Sequence, residues 1–286
     1  MIPLGDLQLH LINDADTKVD PGGAFGLVPR VLWSRYLTPD DEQLVVMRNH
    51  CLYFETAGRR ILIDTGMGNR LDERGVARWH LTRPQGDLLA ALNRLGIQPS
   101  DIDLVIDTHL HADHCSGNVY LDESGELTPT FPNAEYVVQR REYEDAMRPN
   151  ERTAATYLPE NYAGLVASGQ MRLLDGDNEI APGVWGCVTP GHTPGHMSVM
   201  IESAGQHALY TCDMATYAIH FERLGWMTAY DVEPLVTLET KRRWQAWALE
   251  YQALLFFPHD PVRPVGRAST NAGGKFAVEP VAVEYA

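Results

Sequence analysis

The segment that most constrains what this chain can become is Thr108-His-Leu-His-Ala-Asp-His114. A mostly apolar run, Ile102–Thr108, leads into it and predicts a buried strand. Side chains two positions apart point the same way in an extended chain, so His109 and His111 share one face. The turn that follows brings Asp113 and His114 in from another side. The segment therefore concentrates three imidazoles and one carboxylate at a strand end.

These side-chain types in this density predict a site for a divalent metal. Imidazole and carboxylate are ligands that zinc and similar ions accept. The alternative is a group of polar residues in a surface loop, which the buried strand before the segment disfavours. Cys115 and Cys212 lie next to candidate ligands and are alternative soft ligands. None of the four cysteines forms a C-x-x-C pair, so we expect them to be small buried side chains in a reducing compartment.

Composition limits the function classes. The chain has 286 residues, with 44% hydrophobic and 21% charged residues, which is typical of a soluble globular protein. No apolar run reaches the ~18 residues of a membrane span, and the first residues do not form a signal-peptide pattern. We therefore expect a cytoplasmic protein without a membrane partner. The formal net charge of −15 argues against a nucleic-acid partner, because phosphate contacts need clustered Lys and Arg.

Strands and helices alternate along the chain, which predicts a layered α/β fold in a single domain over residues 1–286. Helices are predicted over Gly86–Leu95, from Glu142 onward, and over Thr237–Tyr251. The segments Pro21–Gly26 and Pro29–Trp33 are expected to form a long loop, and the tail after Asp260 an irregular segment. The predicted strands are Leu7–Ile12, Leu44–Glu55, Arg60–Asp64, Ile102–Thr108, Ala134–Gln139, Met171–Leu174, Val184–Thr189, Ser198–Ser203, Ala208–Cys212 and Ala253–Phe257.

Three further candidate ligands share one property: each follows a predicted strand. They are His192, Asp213 and His259. Strand ends at one edge of a sheet let a rigid scaffold bring side chains together at one point. Seven ligands exceed the needs of one tetrahedral zinc and suit two metal ions. His196 is expected to order its loop by hydrogen bonding rather than to bind metal.

The set His109-x-His111-x-Asp113-His114, followed by Gly191-His192, Asp213 and His259, resembles the metallo-β-lactamase superfamily of dinuclear metallohydrolases. The resemblance covers nearly the whole chain and implies a four-layer αβ/βα sandwich with two divalent ions, zinc first, with manganese, cobalt or iron as alternatives. It implies that Asp213 bridges both ions and that Asp113 orients hydroxide or carries a proton. Asp64 matches an aspartate that supports a ligand imidazole, although a turn-capping role is equally open. The implied sets are His109, His111 and His192 for one ion, and Asp113, His114 and His259 for the other.

Branches of the superfamily can be separated by what this chain contains. The zinc β-lactamases lack the bridging aspartate, glyoxalase II-like thioesterases need a helical domain after the last ligand, and the RNA-processing nucleases need a basic surface. Flavodiiron relatives have Glu where His111 stands. The segment Asp213–His220 and the loop Phe25–Trp33 look like the branches of methyl parathion hydrolase and the quorum-quenching acyl-homoserine lactonases. Those lactonases have a carbonyl-contacting tyrosine three residues after the bridging aspartate, where this chain has Thr216 followed by Tyr217.

The resulting expectation is a lactonase with promiscuous esterase and phosphotriesterase activity, acting as a homodimer on a small lactone or ester. Asp113 and Tyr217 are the expected catalytic residues. Two other activities remain open: a dedicated aryl-ester or organophosphate hydrolase, and a mononuclear iron oxidoreductase resembling the persulfide dioxygenases. An apolar pocket is expected from aromatic side chains, with ordinary core packing as the alternative for each. The pocket candidates are Phe25, Trp33, Tyr217, His220 and Trp226.

Overall fold

A computed structural model describes all 286 residues and contains sixteen strands and nine α-helices. The strands are β1 (Ile2–Leu4), β2 (Leu7–Val19), β3 (Val45–Thr56), β4 (Arg59–Ile63), β5 (Leu104–Ile106), β6 (Val119–Leu121), β7 (Leu127–Pro129), β8 (Glu135–Gln139), β9 (Met171–Leu174), β10 (Asn178–Ala181), β11 (Val184–Val188), β12 (Met197–Ser203), β13 (Gln206–Tyr210), β14 (Leu254–Phe256), β15 (Val265–Thr270) and β16 (Phe276–Pro280). The helices are α1 (Pro21–Phe25), α2 (Arg30–Trp33), α3 (Glu73–Arg78), α4 (Leu88–Arg94), α5 (Ala112–Cys115), α6 (Arg140–Met147), α7 (Ala163–Ala167), α8 (Ala218–Glu222) and α9 (Pro234–Glu250).

The strands form two large sheets, one from each half of the chain. The first has seven strands in the order β1-β2-β3-β4-β5-β8-β9, and the second has seven in the order β10-β11-β12-β13-β14-β15-β16. A separate hairpin joins β6 to β7. In the second sheet β11 and β13 are both antiparallel to β12, and β13 is parallel to β14. The carboxyl ends of β11, β13 and β14 therefore lie at the same edge of that sheet.

Alternation of side chains along the strands produces four layers. Ile61 and Ile63 of β4 pack with Tyr210 of β13 in the core between the two sheets. Leu62 points to the opposite face, where α4, α6 and α7 cover the first sheet. Leu209 likewise packs beneath α8 and α9 on the outer face of the second sheet. Burying a large aliphatic side chain contributes about 1.5–3 kcal/mol. The apolar side chains on each face of the two sheets therefore stabilise the packing of these layers. The predicted αβ/βα sandwich is confirmed.

Most predicted elements are present, with shifted ends. The expected helix before Gly96 is α4, and Gly96 takes the left-handed conformation, with φ +78°, that ends a helix. The expected long C-terminal helix is α9, which begins earlier, with Pro234 at its first turn. None of the helices is long and apolar enough to cross a lipid bilayer.

Two expectations about irregular segments are wrong. The Gly/Pro-rich stretch after β2 folds into the short helices α1 and α2, because the Asp20 carboxylate accepts from the Gly22 N–H and Pro21 fits the first helical position. The tail after Asp260 forms the hairpin β15–β16, which extends the second sheet by two strands. Gly266 allows this pairing, since a Cβ there would lie 2.8 Å from the Glu279 carbonyl oxygen.

Candidate metal centre

The seven candidate ligands meet in one buried cluster at the shared edge of the two sheets. His109, His111, Asp113 and His114 follow β5, while His192, Asp213 and His259 follow β11, β13 and β14. Asp213 lies in a 3-10 turn, Cys212–Ala215. Cys212 has a left-handed backbone, with φ +47°, which is strained for a non-glycine residue. That turn redirects the chain at the end of β13 and sets Asp213 among the histidines.

The ligand atoms form two groups joined by one carboxylate. His109, His111 and His192 present atoms within 4.8 Å of one another, and so do Asp113, His114 and His259. Asp213 lies between them: its Oδ2 is 3.2 Å from His192 Nε2 and 3.7 Å from His114 Nε2, and its Oδ1 is 3.3 Å from His259 Nε2. The family resemblance implies these same two sets, and their assignment to two metal ions stays a prediction.

Hydrogen bonds on the far side of the rings fix which imidazole nitrogens face inward. The His114 Nδ1 lies 3.0 Å from the Asp64 carboxylate, and the His259 Nδ1 lies 2.6 Å from the Arg48 carbonyl oxygen. Both partners accept only, so each Nδ1 carries the proton. The two Nε2 atoms are 3.0 Å apart. Burial disfavours a charged ring here, but the neighbouring Cys212, Asp113, Asp213 and Asp64 side chains outweigh it and raise the pKa of His114 well above its ordinary value, so this position favours positive charge.

His192 is held in the same way by Asp231, a residue that sequence reasoning did not assign to the site. The His192 Nδ1 donates to Asp231 Oδ1 at 2.9 Å, and the Thr228 hydroxyl donates to the same oxygen at 2.8 Å. The His192 Nε2 then lies 3.1 Å from His111 Nδ1. The backbone N–H of Val232 also donates to the His192 carbonyl. The sequence shows Asp231 only as an acidic residue shortly before a long predicted helix. Nothing in the sequence indicates that His192 is its partner.

The electrostatics suit cation binding. Burial, reinforced by the neighbouring imidazoles, holds the pKa of His109 and of His111 well below the ordinary value, so both rings are neutral. Burial opposes ionisation of Asp213, but the imidazoles of His259 and His192 outweigh it and hold its pKa well below the usual range. His109 Nε2 and Asp213 Oδ1 have no hydrogen-bond partner although both are buried. Unpaired buried donors and acceptors are costly, so a divalent cation among these atoms fits the residues present.

Asp64 and His196 support the cluster from behind. Asp64, with φ +57°, also accepts from the Thr108 N–H and hydroxyl at 2.9 Å each, which ties the end of β4 to the ligand segment. The His196 Nε2 accepts from the Asp213 N–H at 3.0 Å, and its Nδ1 lies 2.8 Å from the Thr189 hydroxyl. Both His196 ring nitrogens are thus occupied within the protein.

The two neighbouring cysteines occupy different environments. Cys115 is buried and its thiol lies against the Leu110 carbonyl oxygen, away from the cluster. The Cys212 sulfur lies 3.6 Å from His114 Nδ1 and 3.7 Å from His109 Nδ1. It therefore approaches the rings on the side opposite the converging Nε2 atoms of His114 and His259.

A cavity opens onto the cluster. Its lining contains no lysine or arginine, and its apolar part comes from Val19, Ala24, Met47, Trp79, Tyr217 and Tyr230. Tyr217 and Thr216 line this cavity, and their buried hydroxyls have no hydrogen-bond partner. Burial, with the nearby carboxylates of Asp260 and Asp213, holds the pKa of Tyr217 well above its usual value. Tyr217 therefore remains a hydrogen-bond donor at neutral pH.

The other four aromatic pocket candidates lie behind Tyr217 instead of in the cavity lining. Phe25 stacks on Tyr217 at 5.5 Å between ring centroids and on Trp33 at 5.4 Å. His220 and Trp226 meet Phe25 edge-on, at 5.4 and 6.3 Å. The expectation placed these four rings in the cavity lining. In the structure they pack against one another, because this buries more of their surface than a solvent-filled cavity would allow. Their contribution is to fix the Tyr217 ring.

Comparison with known proteins was made for sequence and for structure. The family model described as the metallo-beta-lactamase superfamily matches residues 45–243. An N-acyl homoserine lactonase of a Bacillus species is 31% identical over 237 residues, which cover 78% of this chain and 85% of that protein. The structure of a probable metal-dependent hydrolase from Staphylococcus aureus is similar with a TM-score of 0.88 and 29% identity, covering 99% of this chain and all of that one. An N-acyl homoserine lactone hydrolase, solved with N-hexanoyl-L-homoserine bound at its catalytic metal centre, has a TM-score of 0.67 and 25% identity over 91% of this chain and 95% of its own.

Proposed function

Because the chain belongs to the metallo-beta-lactamase superfamily, we propose that it is a metal-dependent hydrolase that opens lactone rings, with N-acyl homoserine lactones as the first candidate substrates. The observation that carries the proposal is the 31% identity to a lactonase over 78% of this chain. The cavity supports it, since a lining without lysine or arginine suits an uncharged substrate. Aryl esters and phosphotriesters are proposed as side activities of the same site.

We propose two divalent ions, zinc first, held by His109, His111 and His192 on one side and by Asp113, His114 and His259 on the other, with Asp213 shared. Such ions supply Lewis acidity, which polarises a carbonyl and makes hydroxide available near neutral pH. The chain's own residues then bind the substrate, orient it and move protons.

Tyr217 is proposed to orient the substrate. Tyr217 lines the cavity, its buried hydroxyl has no partner, and the stack of Phe25 on its ring fixes the ring. A donor aimed at the lactone carbonyl oxygen favours the charge that develops there during attack. Thr216 offers a second unpaired hydroxyl at the position that is tyrosine in the acyl-homoserine lactonases.

Asp113 is proposed to move the proton. Its carboxylate lines the cavity, with Oδ2 3.7 Å from His259 Nε2 and 3.9 Å from His114 Nε2. Its side chain is 16% exposed, in contrast to the almost completely buried imidazoles beside it. It is therefore the carboxylate that a leaving alkoxide can reach, and opening a lactone requires one proton to be delivered to that oxygen.

The experiment combines metal content with a substrate panel. Purified protein is analysed for metals and assayed against acyl-homoserine lactones, δ-lactones, aryl esters and paraoxon, with ring opening followed by proton release. We expect two metal ions per chain and the highest kcat/KM for a lactone. Asp213→Ala should lose metal and activity together, whereas Tyr217→Phe should keep both ions and lose about 100- to 1,000-fold in kcat/KM, as for one oriented donor.

Three results would contradict the proposal. One iron per chain with oxygen consumption would indicate the oxidoreductase alternative. A paraoxon or aryl-ester rate above every lactone rate would indicate a dedicated hydrolase of those substrates. Full metal content and full rate in Asp213→Ala would remove the bridging role. The homodimer remains a prediction, and light scattering of the wild-type protein tests it.

A further inference from the structure

Tyr230 stands at the boundary between the catalytic cavity and a second depression. That depression includes Arg152, Thr153 and Val232 in its lining. Three residues line both spaces: His111, Thr156 and Tyr230. His111 belongs to the ligand cluster, and the Thr156 carbonyl accepts from the Ala112 N–H. Tyr230 is the member of this wall with an exposed side chain, at 45%.

The backbone that carries Tyr230 is fixed on both sides. The Ala229 N–H donates to the Gly23 carbonyl of α1 at 2.9 Å. Arg152 donates to the carbonyl oxygens of Ala229 and Asp231, at 2.6 and 3.2 Å. Movement in this part of the wall is therefore a matter of the Tyr230 side chain.

Gly23 provides the seat for the phenol ring. A Cβ at position 23 would lie 2.7 Å from Tyr230 Cζ, and closer still to the hydroxyl oxygen. Heavy atoms do not approach that closely, so any other residue at position 23 displaces the ring. The displaced atoms are the end of a side chain, which can rotate at low cost. Gly23→Ala therefore offers a way to move Tyr230 without changing it.

We propose that Tyr230, seated on Gly23, sets the largest acyl group that the catalytic cavity accepts. The proposal deepens the function proposed above and rests on it for the identity of the acyl group. With the ring in place the cavity ends at Tyr230. Without it the cavity and the second depression become continuous past Thr156, and a longer apolar chain gains room. Each methylene that becomes buried then adds about fourfold in affinity.

The test measures chain-length limits by binding, so that it does not depend on turnover of any lactone. Straight-chain alkanoates from butanoate to octanoate are titrated calorimetrically into zinc-loaded protein. The variants are Tyr230→Ala, which removes the ring, Tyr230→Phe, which keeps it, and Gly23→Ala alone and combined with Tyr230→Ala. Tyr251→Ala is the matched control, because Tyr251 is 42% exposed and lies just beyond the far end of α9.

We expect the affinity of the wild-type protein for alkanoates to rise with chain length up to a limiting length and not to rise beyond it. Tyr230→Ala should move the limit to longer chains, while Tyr230→Phe and Tyr251→Ala keep it. Gly23→Ala should change the longest chain that binds when Tyr230 is present. It should have no effect in combination with Tyr230→Ala, where the ring is absent. An unchanged limit in Tyr230→Ala, or an effect of Gly23→Ala that persists without the ring, overturns the inference. A shifted limit in a protein that opens no lactone would retain the inference and refute the proposed function.

Discussion

Asp231 offers the sharpest test of how the cluster is built, because it touches a proposed ligand without being one. In Asp231→Asn the amide oxygen can still accept from His192 Nδ1 and from the Thr228 hydroxyl, so the shape is kept while the charge is lost. In Asp231→Ala both donors lose their acceptor in a buried position, since Asp231 is 4% exposed and His192 1%. Asp231→Asn therefore tests the charge of the carboxylate, and Asp231→Ala tests the loss of the hydrogen-bond acceptor as well.

The expected magnitudes follow from the hydrogen bonds. A hydrogen bond to a charged group contributes about 1.5–3 kcal/mol and a neutral one about 0.5–1.5 kcal/mol. Asp231→Asn should therefore cost about 1–1.5 kcal/mol, close to tenfold in the affinity for one metal ion. Asp231→Ala also lets the ring choose the wrong tautomer, and we expect a loss near 100-fold, the upper end for partners behind metal ligands.

The assay is competition between the protein and a chromogenic zinc chelator, which resolves the binding of two ions. We expect one ion to weaken and the other to stay within about threefold, because His114 and His259 keep their own partners. Asp14→Asn is the matched control: Asp14 is 1% exposed and accepts from the Met67 and Leu88 N–H groups, away from the ligands. Wild-type affinity for both ions in Asp231→Ala, or an equal weakening in Asp14→Asn, would refute the reasoning.

Two further predictions concern stability. Gly191 has φ +135°, and a Cβ there would lie 2.5 Å from Thr237 Cα. Gly191→Ala should therefore lower the free energy of unfolding by about 2 kcal/mol or more, measured by urea denaturation. It should also weaken zinc binding at the adjacent His192, measured by chelator competition. Burial, only partly opposed by the attraction of Asp231, lowers the pKa of Lys241 to about 8, against about 10.4 in the unfolded chain. Between these two pKa values the unfolded chain binds more protons than the folded one, so the free energy of unfolding should rise with pH. The rise should be larger in the wild type than in Lys241→Met, by up to about 3 kcal/mol, as measured by urea denaturation at a series of pH values.

The limits of sequence reading are visible in the strand before the ligands. The apolar run Ile102–Thr108 predicts a strand of that length, but β5 covers only Leu104–Ile106, with Asp103 and Asp107 each donating one further hydrogen bond to a neighbouring strand. The Thr108 N–H donates to the Asp64 side chain instead of a strand backbone. Hydrophobic periodicity reports which residues are buried, whereas strand ends depend on hydrogen-bond partners that lie far away in sequence. The position of the strand could therefore be predicted, and its end could not.

The pocket shows the same limit for side chains. Aromatic residues line cavities and fill cores equally well, so the sequence could not separate Tyr217, which borders the cavity, from Phe25 and Trp33, which pack behind it. Part of the actual lining comes from the last residue of β2, Val19, and from Met47 near the start of β3. Nothing in these two residue types indicates a binding role. Only the three-dimensional course of the strands brings them to the ligands.

The cluster of proposed ligands could be predicted because imidazole and carboxylate groups at this density are rare in a sequence, whereas the groups that orient these side chains have no such signature. Asp64 reaches His114 across 50 positions, Asp231 reaches His192 across 39, and the Arg48 carbonyl reaches His259 across 211. A carboxylate or a carbonyl oxygen at such a distance has no signature in the sequence, yet it decides which ring nitrogen faces the cluster. Chains that share the same seven ligands therefore need not share metal affinity, because that property depends on partners that the ligand motif does not encode.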